Sequence, residues 1–221
     1  MNALRAVLWK DLLSEWRSRD RLPAMLVFAL LTVVVLRFSQ PSGSLAGNSA
    51  TAPGLLWVAY VFAAVLGMNR AFALELENDA LAGLALAPVD RGWIFLGKAA
   101  ANLLLLALAQ VTTALFFAIL FDVDLLSVAG PFLGVALLGA LGLTAAGTLF
   151  AGISVRTRYR EVMLPLLLFP LLVPLLVGAV QATAGLLGEG RAGTGALQLL
   201  VVYDGVFLIA SFLLFEYVLD E

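Results

Sequence analysis

The chain has 221 residues, of which 62% are hydrophobic and 13% are charged, and its mean hydropathy is +1.04. A soluble domain is about 45–50% apolar and about 25% charged, so this composition excludes a soluble enzyme, whose apolar surface could not all be covered. Because a membrane-spanning helix takes about 20 residues, the length accommodates six spans with short loops. We therefore predict an all-α, polytopic membrane protein that forms a single permease domain over residues 1–221.

Two residue types that carry much of enzyme chemistry are missing. The sequence contains no Cys and no His, and its net charge is −2. Thiolate nucleophiles and ligands are therefore excluded, and so is the commonest general base and transition-metal ligand. The charge provides no basic field for a nucleic acid. We expect no catalytic site, no metal site and no bound cofactor on this chain, which either moves something through lipid or holds a partner.

Residues 1–21 predict a helix that lies in the membrane interface. Lys10 and Arg17 lie on its polar face, while Trp16 belongs to the apolar face. The apolar residues recur at every fourth position and form one stripe: Leu4, Leu8, Leu12 and Trp16. We assign Lys10, Glu15, Trp16 and Arg17 to this interfacial helix. A cleaved secretory signal ending near residues 44–46 is the alternative, which the long, mixed-charge segment before the first apolar run disfavours.

Six apolar runs follow, and we expect each to span the membrane: residues 22–38, 54–68, 93–121, 125–155, 162–187 and 197–219. With both termini in the cytoplasm, eleven of the thirteen Lys and Arg residues lie on the cytoplasmic side, as the positive-inside rule requires. The long fourth run indicates a tilt or a break near Pro131. Its many glycines, beginning with the GxxxG pair Gly130 and Gly134, predict close helix packing.

Two glycine patterns imitate nucleotide-binding motifs. Residues 92–99 read GxxxxGK followed by Ala, whereas a P-loop needs Ser or Thr at that last position to hold Mg²⁺. Residues 188–193 match GxGxxG but follow no predicted strand, so we interpret them as a turn. Any ATP must then be handled by another chain.

Five of the polar side chains within the predicted spans are of particular interest. If the ammonium group of Lys98 reaches the near interface, the apolar span proper covers about residues 99–121. Asn102, Gln110 and Gln181 are expected to form interhelical hydrogen bonds in preference to lining a path. Asp204 is the only acid placed inside a span, and we favour a hydrated position near the outer interface over a functional intramembrane acid.

The fifth run contains Pro165, Pro170 and Pro174. Each proline removes a hydrogen bond from the helix ladder. A kinked packing helix is one interpretation. The other is a helix bent around a substrate path or a moving gate, to which Asp204 could belong.

The polar segment 69–92 contains a predicted cytoplasmic coupling helix at about residues 74–88. Leu81 and Leu84 share its apolar face, and Pro88 terminates it. A helix lying on the membrane surface is one interpretation. The functional interpretation is a docking helix with apolar anchors and a charged rim; the rim residues are Glu75, Glu77, Asp90 and Arg91.

An interfacial N-terminal helix, six spans and an acidic cytoplasmic helix between spans two and three resemble an ABC-2-type permease. Closer matches occur in order along the chain: PGLLWV (53–58), FALE-x-E (72–77), GL-x-LAPVDR (83–91), GTLFA (147–151) and LPLLLFPLLVP (164–174). Together they resemble the CcmB family, the permease subunits of the haem-exporter ABC system of cytochrome c maturation, over nearly the whole chain.

The resemblance implies a bacterial inner-membrane protein that works with a separate cytoplasmic ATPase, a haem-handling membrane subunit and a small accessory subunit. Two permease copies for two ATPases are usual for the type. ATP would bind the partner, and haem is a possible substrate. If haem passes this subunit, the absence of His and Cys predicts contact through apolar and aromatic surface, without axial ligation. Two alternatives stay open: an ABC-2 exporter of a lipid, drug or glycan, and a non-transporting scaffold that drives release of a partner.

Overall fold

A computed structural model describes residues 3–40, 48–77, 90–155, 157 and 159–220. These residues form seven α-helices and contain no strand: α1 (Ala3–Ser18), α2 (Arg21–Phe38), α3 (Asn48–Glu77), α4 (Arg91–Phe121), α5 (Ala129–Val155), α6 (Arg160–Glu189) and α7 (Thr194–Asp220). Six of them, α2 to α7, are long and apolar enough to cross a bilayer. The predicted all-helical class with six spans is confirmed. Helices are favoured here because lipid offers no partner for backbone N–H and C=O groups.

Two boundaries differ from the predicted spans. The second span was predicted over 54–68, but α3 runs from Asn48 to Glu77, so its polar ends also continue the helix. The fourth was predicted from residue 125, but α5 begins at Ala129. Pro131 therefore lies in the first helical turn, where a missing N–H costs nothing, and does not break the helix.

The connections from α4 to α5 and from α6 to α7 are short turns that reverse the chain. Asp122 ends α4 in the left-handed region at φ 54°, and its N–H donates to the Ala118 carbonyl. Gly190 ends α6 in the same region at φ 66°, a conformation that glycine adopts without strain. The interpretation of residues 188–193 as a turn is thus confirmed.

The centre of the bundle is built from α3 and α5, which have the most buried spans, whereas α2 and α7 are the most exposed. Three glycines of α5 lie against large side chains: Gly139 on Trp57, Gly142 on Leu175 and Gly147 on Met68. Small residues therefore permit close helix approach, as predicted. The GxxxG pair does not take part, since nothing in the described structure lies within 4 Å of a Cβ built on Gly130 or Gly134.

These glycines provide a stability test. Gly139→Ala places a methyl group against the buried ring of Trp57, whose Nε1 donates to Thr183 Oγ1 at 3.0 Å. Overpacking of this kind costs about 1–3 kcal/mol, so we expect a lower thermal unfolding temperature in detergent or nanodiscs. Gly134→Ala, on the same helix in open space, is the matched control and should leave the temperature unchanged or raised. Equal losses in both variants would contradict this packing.

Candidate functional site

The buried face of α1 carries acids. Val7, Asp11 and Glu15 are buried at four-residue intervals, while Trp9 and Trp16 are 66% and 75% exposed. The apolar stripe predicted for the membrane interface is less buried than this side, since Leu4, Leu8 and Leu12 are only half-buried. The helix itself is confirmed. Its acidic side faces the bundle because Lys98 and Arg21 lie on the surface that it contacts.

Gly97 lets α1 approach α4 closely. A Cβ built on Gly97 would lie 2.8 Å from Val7 Cβ and 3.0 Å from the Leu4 carbonyl oxygen, too close for any larger residue without a shift. The next residue along α4, Lys98, consequently lies beneath α1.

Lys98 is 2% exposed. Its Nζ lies 3.5 Å from Asp11 Oδ2 and 4.8 Å from the centroid of the Phe72 ring, where a cation–π attraction adds to the ion pair. Asp11 also accepts a second ion pair from Lys10, whose Nζ lies 3.0 Å from Oδ1. Lys98 is therefore covered by α1, the predicted interfacial helix, which supplies its counter-ion.

Glu15 connects α1 to the start of α2. Its Oε1 accepts a hydrogen bond from the Leu22 N–H at 2.9 Å, and its Oε2 lies 3.9 Å from Arg21 Nε. The carboxylate thus satisfies a free N–H in the first turn of α2, where the helix dipole favours negative charge.

Arg21 continues the network into the spans. Its Nη2 donates to Asn102 Oδ1 of α4 at 2.7 Å, and Asn102 Nδ2 donates to Thr148 Oγ1 of α5 at 3.0 Å. The interhelical role predicted for Asn102 is confirmed. We call Asp11, Glu15, Arg21, Lys98 and Asn102 the charge cluster; it links α1, α2, α4 and α5 at one end of the bundle.

The charge cluster balances internally. Two carboxylates face two cations, all at least nine-tenths buried. A buried pair is a weak source of net stability, but removal of one partner leaves an uncompensated charge. The arrangement therefore holds these four helix ends in a fixed relation and resists independent movement of any one of them.

Most of the predicted coupling residues are not described by the structure. Leu81, Leu84 and Pro88 fall outside the described residues, as do the side chains of Glu75 and Glu77 in the last turn of α3. Asp90 is exposed and caps α4, accepting the Gly92 N–H at 2.9 Å. Arg91 Nη1 donates to the Glu216 carbonyl at 3.0 Å, which ties the start of α4 to the end of α7.

The other polar residues and the prolines that the sequence analysis names in the spans differ in burial. Gln110 is buried but Gln181 is exposed. Pro170 and Pro174 lie on the exposed face of α6, and Pro165 is half-buried. Asp204 is 3% exposed, so the interpretation of it as a hydrated residue at the outer interface is wrong: α7 turns it toward α5.

An apolar groove of about 300 Å³ lies between the C-terminal half of α4 and the N-terminal half of α5. Ala114, Leu125, Phe132 and Leu137 are among its lining residues, which also include the polar residues Tyr60 and Gln110. The Tyr60 hydroxyl donates to the backbone carbonyl of Gln110 at 3.0 Å. The groove can accommodate an apolar molecule.

Sequence reasoning missed the inward face of α1. A usable signal was present, since Asp11 and Glu15 are one helical turn apart and share a face with Val7. Arg21 and Lys98, each at the start of an apolar run, were the complementary signal.

The charge cluster generates a stability prediction. Lys98→Met leaves Asp11 buried with only the partly exposed Lys10 as counter-ion, and the loss of one partner of a buried pair costs about 3–5 kcal/mol. We expect a marked loss of resistance to denaturant in mixed micelles, recovered in part by Asp11→Asn with Lys98→Met. Lys10→Met, an exposed cation beside the same acid, should cost less than about 1 kcal/mol. Similar losses for Lys10→Met and Lys98→Met would refute the buried pair.

Comparison with known proteins identifies the family. The model of the family described as CcmB protein matches residues 2–216. Heme exporter protein B of Rhodobacter capsulatus is 34% identical over 192 residues, covering 86% of this chain and 85% of the relative. Heme exporter protein B of Paracoccus denitrificans is 31% identical over 207 residues, covering 93% and 91%, and that of Bradyrhizobium diazoefficiens is 27% identical over 218 residues. This chain is therefore a member of the CcmB family.

Proposed function

We propose that this chain is the transmembrane subunit of an ATP-driven ABC-type complex required for haem delivery in c-type cytochrome biogenesis. The observation that carries the proposal is the family match over residues 2–216, together with relatives named heme exporter protein B that align over most of their length. Six apolar helices provide the spanning domain. ATP hydrolysis belongs to a separate cytoplasmic subunit, and this chain is not itself an enzyme.

The proposed setting is the bacterial inner membrane with both termini in the cytoplasm. The charge cluster and the two ends of segment 69–92 then lie on the cytoplasmic side, where most Lys and Arg residues fall. The exposed side chains Trp9, Leu13 and Trp16 of α1 form a surface suited to the headgroup region. Arg19 lies 6.0 Å from the Trp16 ring, and Arg17 ends the same helix.

Coupling to the ATPase would act through residues 69–92. Leu81 and Leu84 would be the apolar anchors, with Glu75, Glu77, Asp90 and Arg91 as rim charges. The segment joins α3 to α4, and α4 contributes Lys98 and Asn102 to the charge cluster. A push on the segment would therefore move α4, α1 and α2 together.

The proposed partners are the ATPase, a haem-handling membrane subunit, a small accessory subunit and a second copy of this chain. The least buried spans, α2 and α7, leave apolar faces for contacts within the membrane. For a path or gate we propose α6 with Pro165, Pro170 and Pro174, whose hydrogen-bond ladder is weakened, and Asp204 opposite it.

Haem, if it passes this subunit, would contact apolar surface without axial ligation. The groove between α4 and α5 is the described surface that fits such a cargo. The same groove supports the second candidate function, export of another apolar molecule such as a lipid. Liposomes containing the purified complex separate the functions: an exporter moves the cargo with ATP, whereas a non-transporting scaffold hydrolyses ATP and releases a partner.

Deletion of the gene tests the maturation role. Haem attached covalently to c-type cytochromes survives a denaturing gel, so haem staining of membranes reports it directly. We expect the stained bands to disappear in the deletion strain and to return with the intact gene. Bands that persist would leave the family architecture in place and refute the role in haem delivery.

The anchors of the coupling segment have their own test. Leu81→Asp combined with Leu84→Asp should abolish co-purification of the ATPase, because a docking surface that loses its apolar contacts loses most of its binding energy. The bundle should remain folded in gel filtration, since the change lies outside the spans. Leu126→Asp, an exposed leucine in the loop at the opposite end, is the control and should retain the ATPase. Retention by the double variant would contradict the anchor assignment.

A further inference from the structure

Asp204 lies inside a helix that is long and apolar enough to span a bilayer. It is ten residues beyond Thr194, the first residue of α7, which places it about 15 Å along the helix at 1.5 Å per residue. Its side chain is buried in the bundle, with 3% of the residue exposed.

The carboxyl group is enclosed by three helices. A Cβ built on Gly142 of α5 would collide with Asp204 Oδ1 and with the Leu175 side chain of α6, and would lie 3.0 Å from Tyr203 Cδ1. The missing side chain of Gly142 thus provides the space that the carboxyl group occupies. Neither carboxyl oxygen has a hydrogen-bond partner among the described residues, and the same holds for the neighbouring Tyr203 hydroxyl.

No counter-ion faces this position within the described part of the chain. The helices packed against α7 are α4, α5 and α6. The charged residues of α4 are Arg91 and Lys98, both near its first turns. Those of α6 lie at its two ends: Arg160, Glu161 and Glu189. Helix α5 (Ala129–Val155) has no charged residue. Lys98 is paired with Asp11, and Arg91 contacts Glu216. In the outer loop, Arg191 is exposed to solvent.

An ionised carboxylate in such a place would carry a severe desolvation cost with nothing to offset it. The neutral acid avoids that cost, and it fits into the space beside Gly142. We propose that Asp204 is a proton-binding site: its carboxyl group carries a proton while α5, α6 and α7 are packed together, and it releases the proton to water only when this junction opens. The exchange is a simple acid dissociation, R–COOH giving R–COO⁻ and H⁺.

Infrared spectroscopy of the full chain in nanodiscs at neutral pH tests the proposal directly. The difference spectrum between the wild type and Asp204→Asn should show loss of one carboxylic-acid C=O band, above the amide bands. The matched control is Asp124→Asn, an exposed aspartate in the outer loop, which should show loss of a carboxylate band. Asp204→Asn preserves size and neutrality, so we expect the variant to fold.

The result that overturns the proposal is a carboxylate band lost in Asp204→Asn, as in the control. A second comparison tests the enclosing site: Gly142→Ala should shift or remove the acid band by displacing the carboxyl group. Gly205→Ala, beside Asp204 but with nothing within 4 Å of the new methyl group, should leave the band unchanged. An acid band insensitive to both glycine changes would show that Gly142 does not enclose the carboxyl group, and would refute this site.

Discussion

The ion pair between Asp11 and Lys98 is the contact on which one end of the bundle, the end that holds the charge cluster, depends. Lys98 is buried because α1 covers it, and α1 can cover it because Asp11 neutralises it and Gly97 lets the helix approach. The burial of Lys98 and the packing of α1 on α4 therefore depend on each other. A buried ammonium without its carboxylate would be driven toward water, and the first turns of α4 could no longer pack beneath α1.

The second carboxylate of α1 extends this dependence to two more helices. Glu15 holds the first turn of α2 through the Leu22 N–H, and Arg21 passes the contact to Asn102 and Thr148. Hydrogen bonds among buried polar groups strengthen as the local dielectric falls. The ends of α1, α2, α4 and α5 are therefore held together by one connected set of polar contacts.

Hydropathy predicted the spans well because lipid requires every backbone group to be paired within its own helix. It says less about α1, because the apolar stripe of an interfacial helix does not reveal which side meets the rest of the protein. The surface that α1 contacts carries Lys98 and Arg21, so the side with Asp11 and Glu15 packs there. The burial of Lys98 is equally hard to predict, because it depends on tertiary contacts with Asp11 and Phe72. The GxxxG pair failed because a motif specifies which backbone could approach closely, not which neighbour is present.

The two buried acid systems of the bundle are opposites in chemistry. In the charge cluster, each carboxylate lies near a cation, so charge is retained and position is fixed. At Asp204, no cation is within reach in the described structure, and a small residue on α5 supplies the space. The two charges of an ion pair resist separation. A buried acid without a counter-ion is favoured in its neutral form while water is excluded, and it ionises when water reaches it. The bundle thus combines a rigid end, where force would enter, with a junction of α5, α6 and α7 whose charge state follows its packing.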